Sequence, residues 1–176
     1  MRPLFAILLG LATAAAAAAQ PSVLAPYSPT PTDVVDRMLR LAGVGSKDVV
    51  FDLGCGDGRI VIEAAKMHGA RGVGIDIDPS LIAQAQANAQ KAGVAALVTF
   101  RVQDAMTVDV SEATVVTLYL LAASNVKLRP ILTRTLRPGA RIVSHNYPIG
   151  DWGPDVVDTF TDSAGSMRTL FLWNIR

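Results

Sequence analysis

The seven residues Asp52-Leu53-Gly54-Cys55-Gly56-Asp57-Gly58 constrain this chain more than any other stretch of it. They close a short apolar run, Val49–Leu53, and lead into a segment with helical character from Arg59 to His68. Glycines at 54, 56 and 58 permit a tight turn and let the backbone approach a ligand with no Cβ in the way. Strand, glycine turn and helix in that order make the first half of a βαβ unit. The turn then lies at the carboxyl end of the strand, where open α/β sheets bind their ligands. The bland alternative is a glycine-rich turn without a ligand, and the strand–turn–helix context speaks against it.

The alternation continues downstream. Gly72–Ile77 reads as a second strand, followed by Asp78-Pro79 as N-cap and first-turn proline of a helix that runs to about Ala92. Leu97–Val102 and Thr114–Leu121 read as strands three and four, and a helix is expected between Ser124 and Leu136, with Pro130 resetting its first turn. Ile142–Ser144 is a fifth strand, and Val156–Thr161 with Arg168–Ile175 a closing hairpin. Upstream, Thr32 or Asp33 caps a helix that carries Val34, Val35, Met38, Leu39 and Leu41 on one side. The expected fold is therefore α/β: a Rossmann-like seven-stranded, mostly parallel sheet with a C-terminal antiparallel hairpin and helices on both faces. Over 176 residues, 51% of them hydrophobic, this amounts to one domain, here bounded at 32–176.

What the glycine loop binds follows from its charges. A dinucleotide fingerprint asks for glycines at 54, 56 and 59, and position 59 is Arg. A pyrophosphate would also sit poorly beside Asp52 and Asp57. S-adenosylmethionine carries an ammonium and a sulfonium, so an acidic surround suits it. Asp76, at the end of the second strand and 20 positions after Gly56, stands where ribose hydroxyls lie in a Rossmann-type site, and Ile77 can pack on an adenine face. Asp104, after the third strand, can accept from the adenine amino group while the Ala105 backbone bonds a ring nitrogen. An aspartate after a strand is commonly just a turn residue, so Asp104 gains meaning only beside the other two elements.

Together these residues resemble the class I, seven-stranded S-adenosylmethionine-dependent methyltransferases, over about residues 32–176. The resemblance implies cofactor contacts from Asp52, Gly54, Cys55, Gly56, Gly58, Asp76, Ile77, Asp104 and Ala105. A narrower likeness rests on Gly54-Cys55-Gly56-Asp57-Gly58-Arg59-Ile60-Val61, Pro138-Gly139-Ala140-Arg141-Ile142-Val143-Ser144 and Trp152-Gly153-Pro154. These are similar to the group holding the lysine methyltransferases of the ATP synthase c subunit and the adenine nucleotide translocase, with their bacterial relatives. That likeness implies protein-lysine N-methylation.

Two other functional classes stay open beside it: methylation of a small molecule (a quinone, lipid or metabolite) and a non-catalytic nucleoside-binding module. Candidates for acceptor chemistry lie at the end of strand four, where Tyr119 is the candidate catalytic residue and a core aromatic is the alternative. The Asn/Asp-Pro-Pro-aromatic motif of enzymes that methylate nucleobase or glutamine amines is absent there. His145 is read as core or as backing the site, Trp152 and Trp173 as packing, and Tyr27 as a residue of an arm that covers either the cofactor or a sheet edge. No His/Cys/Asp/Glu cluster has metal-ligand spacing. A net charge of +1 with singly scattered Lys and Arg does not favour a nucleic-acid partner.

The first residues form a separate case. Arg2, an apolar stretch from Leu4 to Leu11 and the alanine run Ala14–Ala19 read as a secretory signal peptide over residues 1–19. An uncleaved anchor is the alternative, with the domain exported or held at a membrane; the apolar run falls short of the roughly 20 residues that span a bilayer. Residues 20–31, with prolines at 21, 26, 29 and 31, form an extended arm. Cys55 is the single cysteine, so no intrachain disulfide forms.

Overall fold

The computed structural model describes residues 23–176, and the signal-peptide reading falls outside them. After the arm come helix α1 (Thr32–Leu41), strand β1 (Val49–Leu53), α2 (Arg59–His68), β2 (Arg71–Asp76), α3 (Pro79–Lys91) and β3 (Val98–Val102). A single 3-10 turn (Ala105–Thr107), β4 (Val115–Leu118), α4 (Ala122–Thr135), β5 (Arg141–His145), β6 (Val156–Thr161) and β7 (Met167–Asn174) complete the domain. All seven strands share one sheet in the order β3-β2-β1-β4-β5-β7-β6. The first five run parallel, and β7 inserts antiparallel between β5 and β6.

The order in which strands are added reverses between the parallel neighbours β1 and β4, which opens a crevice at their carboxyl ends. Register brings those ends level: Leu53 pairs with both Ile75 and Leu118, and Leu118 with Ser144. Every residue of β1 is buried, as a central parallel strand requires. Its side chains alternate between two cores. Val50 packs with Val61 of α2 and Val35 of α1, whereas Phe51 and Leu53 pack with Leu128 and Leu132 of α4. Helices α1, α2 and α3 thus cover one face and α4 the other.

Several local expectations need correction. Neither Thr32 nor Asp33 caps α1; Pro31 holds the cap position without a side-chain bond, and Asp33 instead accepts from the Ser163 amide at 2.6 Å. Tertiary pairing with the β6–β7 turn outcompetes the local cap. Strand β4 ends at Leu118, because Tyr119–Leu121 leave the sheet to enter α4, whose N-cap is Leu121. The helix therefore begins earlier than expected, and Pro130 lies in its interior rather than in its first turn. Buried Leu128 and Leu132 fix this helix from its apolar side, which overrides the local breaker. Asp78 caps α3 as expected, its side chain accepting from the Ser80 amide at 2.8 Å.

Candidate cofactor site

The turn after β1 is pinned from below. The amides of Gly54 and Cys55 both donate to the Ile75 carbonyl, at 2.8 and 2.9 Å. Gly54 and Gly56 have φ of +85° and +53°, in the left-handed region that favours glycine. Space excludes side chains as well: a Cβ at Gly54 would lie 2.8 Å from Leu120 Cδ2, and one at Gly56 2.5 Å from the Tyr27 ring. Gly58 serves differently. It does not line the cavity above the loop; it starts α2, and a Cβ there would meet the Phe100 ring at 2.6 Å. The loop's third glycine lets helix and strand pack closely and lies outside the cavity lining.

Asp76 does more than its place at the end of β2 suggests. Its Oδ2 accepts from the Gly56 amide at 2.8 Å and its Oδ1 from the Asp78 amide at 3.0 Å, so it shapes the glycine loop. A carboxylate has about four acceptor positions, which leaves capacity for a ligand's hydroxyls. Asp104 caps the 3-10 turn, accepting from the Met106 amide at 2.8 Å through one oxygen, and its other oxygen makes no bond among the described residues. Asp52 is 2% exposed and accepts from the Thr117 hydroxyl at 2.7 Å. Burial first, with the nearby charges of Asp76 and Asp57, pushes its carboxyl up to about 7 against the Thr117 hydrogen bond. The Cys55 thiol is pushed up strongly by burial and by Asp52 and Asp76. It remains a thiol, part of the wall and not a nucleophile.

These residues meet in one cavity of about 220 Å³ at the carboxyl ends of the strands. Asp52, Gly54, Cys55, Gly56, Asp76, Ile77, Asp104, Ala105 and Tyr119 all line it. So does the proline-rich arm from Val23 to Thr30, which crosses the cavity mouth and not a sheet edge. The arm is held at both ends. Ser124 Oγ of α4 donates to the Leu24 carbonyl. Arg59 Nη1 donates to the Thr30 carbonyl at 2.8 Å while its other nitrogens grip Asp57 at 2.7 and 2.9 Å. Tyr27, half exposed, lies with its ring over Gly56. Sequence reasoning missed this clasp, because a salt bridge two residues apart within a turn and a carbonyl 29 positions upstream leave no periodic signal.

The charge around the cavity identifies what it suits. Asp52, Asp57, Asp76, Asp78 and Asp104 line it, and Arg59, its one cation among the described residues, is committed to Asp57. A doubly cationic ligand fits this surround, and a pyrophosphate does not. Among the described residues no cluster of His, Cys, Asp and Glu is arranged to hold a metal ion.

Strand order, glycine loop and acidic nucleoside positions define a class I, seven-stranded S-adenosylmethionine-dependent methyltransferase. Comparison with known proteins places it more narrowly: the family of the ANTKMT methyltransferase domain matches residues 52–156, and the chain belongs to that family. A protein-lysine N-methyltransferase of Saccharolobus islandicus is 45% identical over 152 residues, which are 85% of this chain and 93% of that protein. A lysine N-methyltransferase of the ATP synthase c subunit, from Xenopus laevis, is 32% identical over 148 residues, 84% of this chain and 65% of that longer protein. Among solved structures, an RNA methyltransferase of Salinibacter ruber in complex with S-adenosyl-L-homocysteine is 57% identical, with a TM-score of 0.79 over 84% of this chain and 94% of that one.

Proposed function

We propose that this chain is a protein-lysine N-methyltransferase, which carries the methyl group of S-adenosylmethionine to a lysine ε-amine. The observation that carries the reading is the end-to-end likeness, at 45% identity, to a protein of that name. The cofactor supplies a methyl group on a sulfonium, activated for in-line displacement. The chain's own residues bind and orient. Gly54 and Gly56 leave room for the methionine part, the Asp52 carboxyl faces its ammonium, and Cys55 completes that wall. Asp76 takes the ribose hydroxyls, the free oxygen of Asp104 and the Ala105 backbone take the adenine edge, and Ile77 packs on its face. Gly58 supports the loop from α2. Tyr119 stands on the acceptor side, and the arm with Tyr27 keeps water from the reacting centre. A lysine has a reference pKa near 10.4, so the dry, aromatic acceptor side favours entry of the neutral amine.

The Salinibacter protein's description brings a second reading, RNA methylation, supported by 57% identity. The net charge of +1 and the sequence Leu118-Tyr119-Leu120-Leu121 at the end of β4 weigh against it. One experiment separates the readings. The purified chain is incubated with methyl-labelled S-adenosylmethionine and a cell extract. Label removed by protease and recovered as methyl-lysine supports the proposal. Label removed by ribonuclease, or recovered in small molecules, overturns it.

The proposal extends to location: residues 1–19 export the domain or hold it at a membrane. Among the described residues no helix is long and apolar enough to cross a membrane. Recovery of the tagged chain wholly in the cytoplasmic soluble fraction, with its N-terminus intact, would remove this part of the reading.

A further inference from the structure

His145 is a buried polar residue that the cofactor site leaves unused. It ends β5, directly beside the end of β4, since Leu118 pairs with Ser144 and the next residues of both strands emerge together. Its ring stacks on Tyr119, with centroids 4.0 Å apart and planes at 29°, and Tyr147 lies beyond at 6.4 Å from Tyr119. Tyr119 lines the cavity; His145 lies behind it, 0% exposed. Neither imidazole nitrogen has a hydrogen-bond partner among the described residues.

We propose that His145 is a positioning residue for the acceptor: stacked behind Tyr119 as an uncharged ring, it fixes the phenol as an aromatic seat for the amine beside the sulfonium. This rests on the lysine reading only for the identity of the amine. Two cationic or potentially cationic groups meet at the acceptor side, so a third positive charge behind Tyr119 would repel both. The surroundings prevent one. No acceptor holds a proton on either nitrogen, burial and the Arg168 guanidinium oppose the imidazolium, and the Asp162 carboxylate that favours it is bound to Arg168 at 2.7 Å. Tyr119 and Tyr147 bring no positive charge. The ring's titration is pushed down to about 4, so it is neutral near pH 7. A neutral aromatic pair attracts the sulfonium and any ammonium through its π-face, and offers a neutral amine N–H···π contacts without fixing a single hydrogen-bond geometry.

The test needs no knowledge of the acceptor. Sinefungin, in which an amine-bearing carbon replaces the methylsulfonium, is compared with S-adenosylhomocysteine, which keeps an uncharged thioether sulfur there, by calorimetry on the whole chain. His145→Ala removes the backing ring; His145→Phe keeps the stack without the nitrogens and controls for folding. The preference for sinefungin over S-adenosylhomocysteine should fall about tenfold in His145→Ala and stay within about threefold in His145→Phe, with S-adenosylhomocysteine affinity unchanged in both. An unchanged preference in His145→Ala overturns the proposal. Equal loss in both variants also overturns it, because the nitrogens and not the stack would then be responsible. If His145→Ala does not fold, the decision falls to His145→Phe: retained preference stands with the proposal, loss stands against it. A failure of the lysine reading shows instead as methyl label in another substrate class, with the sinefungin result unaffected.

Discussion

At position 52 the chain buries a carboxyl group against a hydroxyl, that of Thr117, with two further carboxylates nearby. Such a group prefers to be protonated, and an incoming ammonium reverses the preference. Binding of S-adenosylmethionine should therefore release a proton near neutral pH, and affinity should rise with pH up to about 7 and then level off. Calorimetry in two buffers of different ionisation enthalpy reads the released proton directly, and Asp52→Asn should abolish both the release and the pH dependence. Gly54→Val places a side chain against Leu120 at a backbone angle that β-branched residues avoid, and Asp76→Ala removes both the loop's support and the proposed ribose acceptor. Each should weaken cofactor binding at least 100-fold while thermal melts show a folded domain. Undiminished affinity in either would remove the assigned site.

Among the elements, the arm and α4 carry the clearest consequences. The arm makes no regular structure, so its position depends on the bonds at Leu24 and Thr30. Arg59→Ala breaks the second and also frees Asp57. We expect cofactor affinity to fall about tenfold and chymotrypsin to cut at Tyr27 more readily, since an unpinned segment opens at little free-energy cost. Helix α4 carries Pro130 in its interior, where the ring cannot donate to the carbonyl four residues earlier. Pro130→Ala restores that bond but also loosens the unfolded chain, so the net gain should be about 1 kcal/mol, visible as a raised melting temperature. A lowered one would mean that the proline's shape is needed against Leu128 and Leu132.

For the molecule as a whole, two buried groups oppose one another in their response to pH. Asp52 titrates higher in the folded protein than unfolded, so its contribution to stability is present below about 4 and lost as pH rises towards about 7. His145 titrates lower when folded, so its contribution is present above about 6.5 and lost as pH falls towards about 4. Each slope is about 1.4 kcal/mol per pH unit, and over the shared window they nearly cancel. Denaturant melts of the cofactor-free protein between pH 4 and 6.5 should thus show little change from these groups. Asp52→Asn should become less stable as pH falls through that window, and His145→Phe more stable. Parallel curves for all three proteins would mean that neither group is held as described.

Sequence alone determined the sheet, because a central strand such as β1 must be a continuous apolar run, the glycine turn after Leu53 marks where it feeds a helix, and Gly43, Gly69 and Gly93 mark where helices end. It also determined the acidic cofactor cavity, since loops at the carboxyl ends of adjacent parallel strands converge whatever their partners do. Local signals failed where a distant group competed with a near one: Asp33 turned to Ser163 instead of capping α1, and packed leucines carried α4 through Pro130. Only the tertiary structure decided that Gly58 supports the loop from beneath, that the arm crosses the cavity under Arg59 and Ser124, and that His145 stands unpartnered behind Tyr119. The reason is physical. Periodicity records which face a residue shows, whereas pinning, stacking and desolvation depend on groups brought close only when the sheet closes and the chain returns across it.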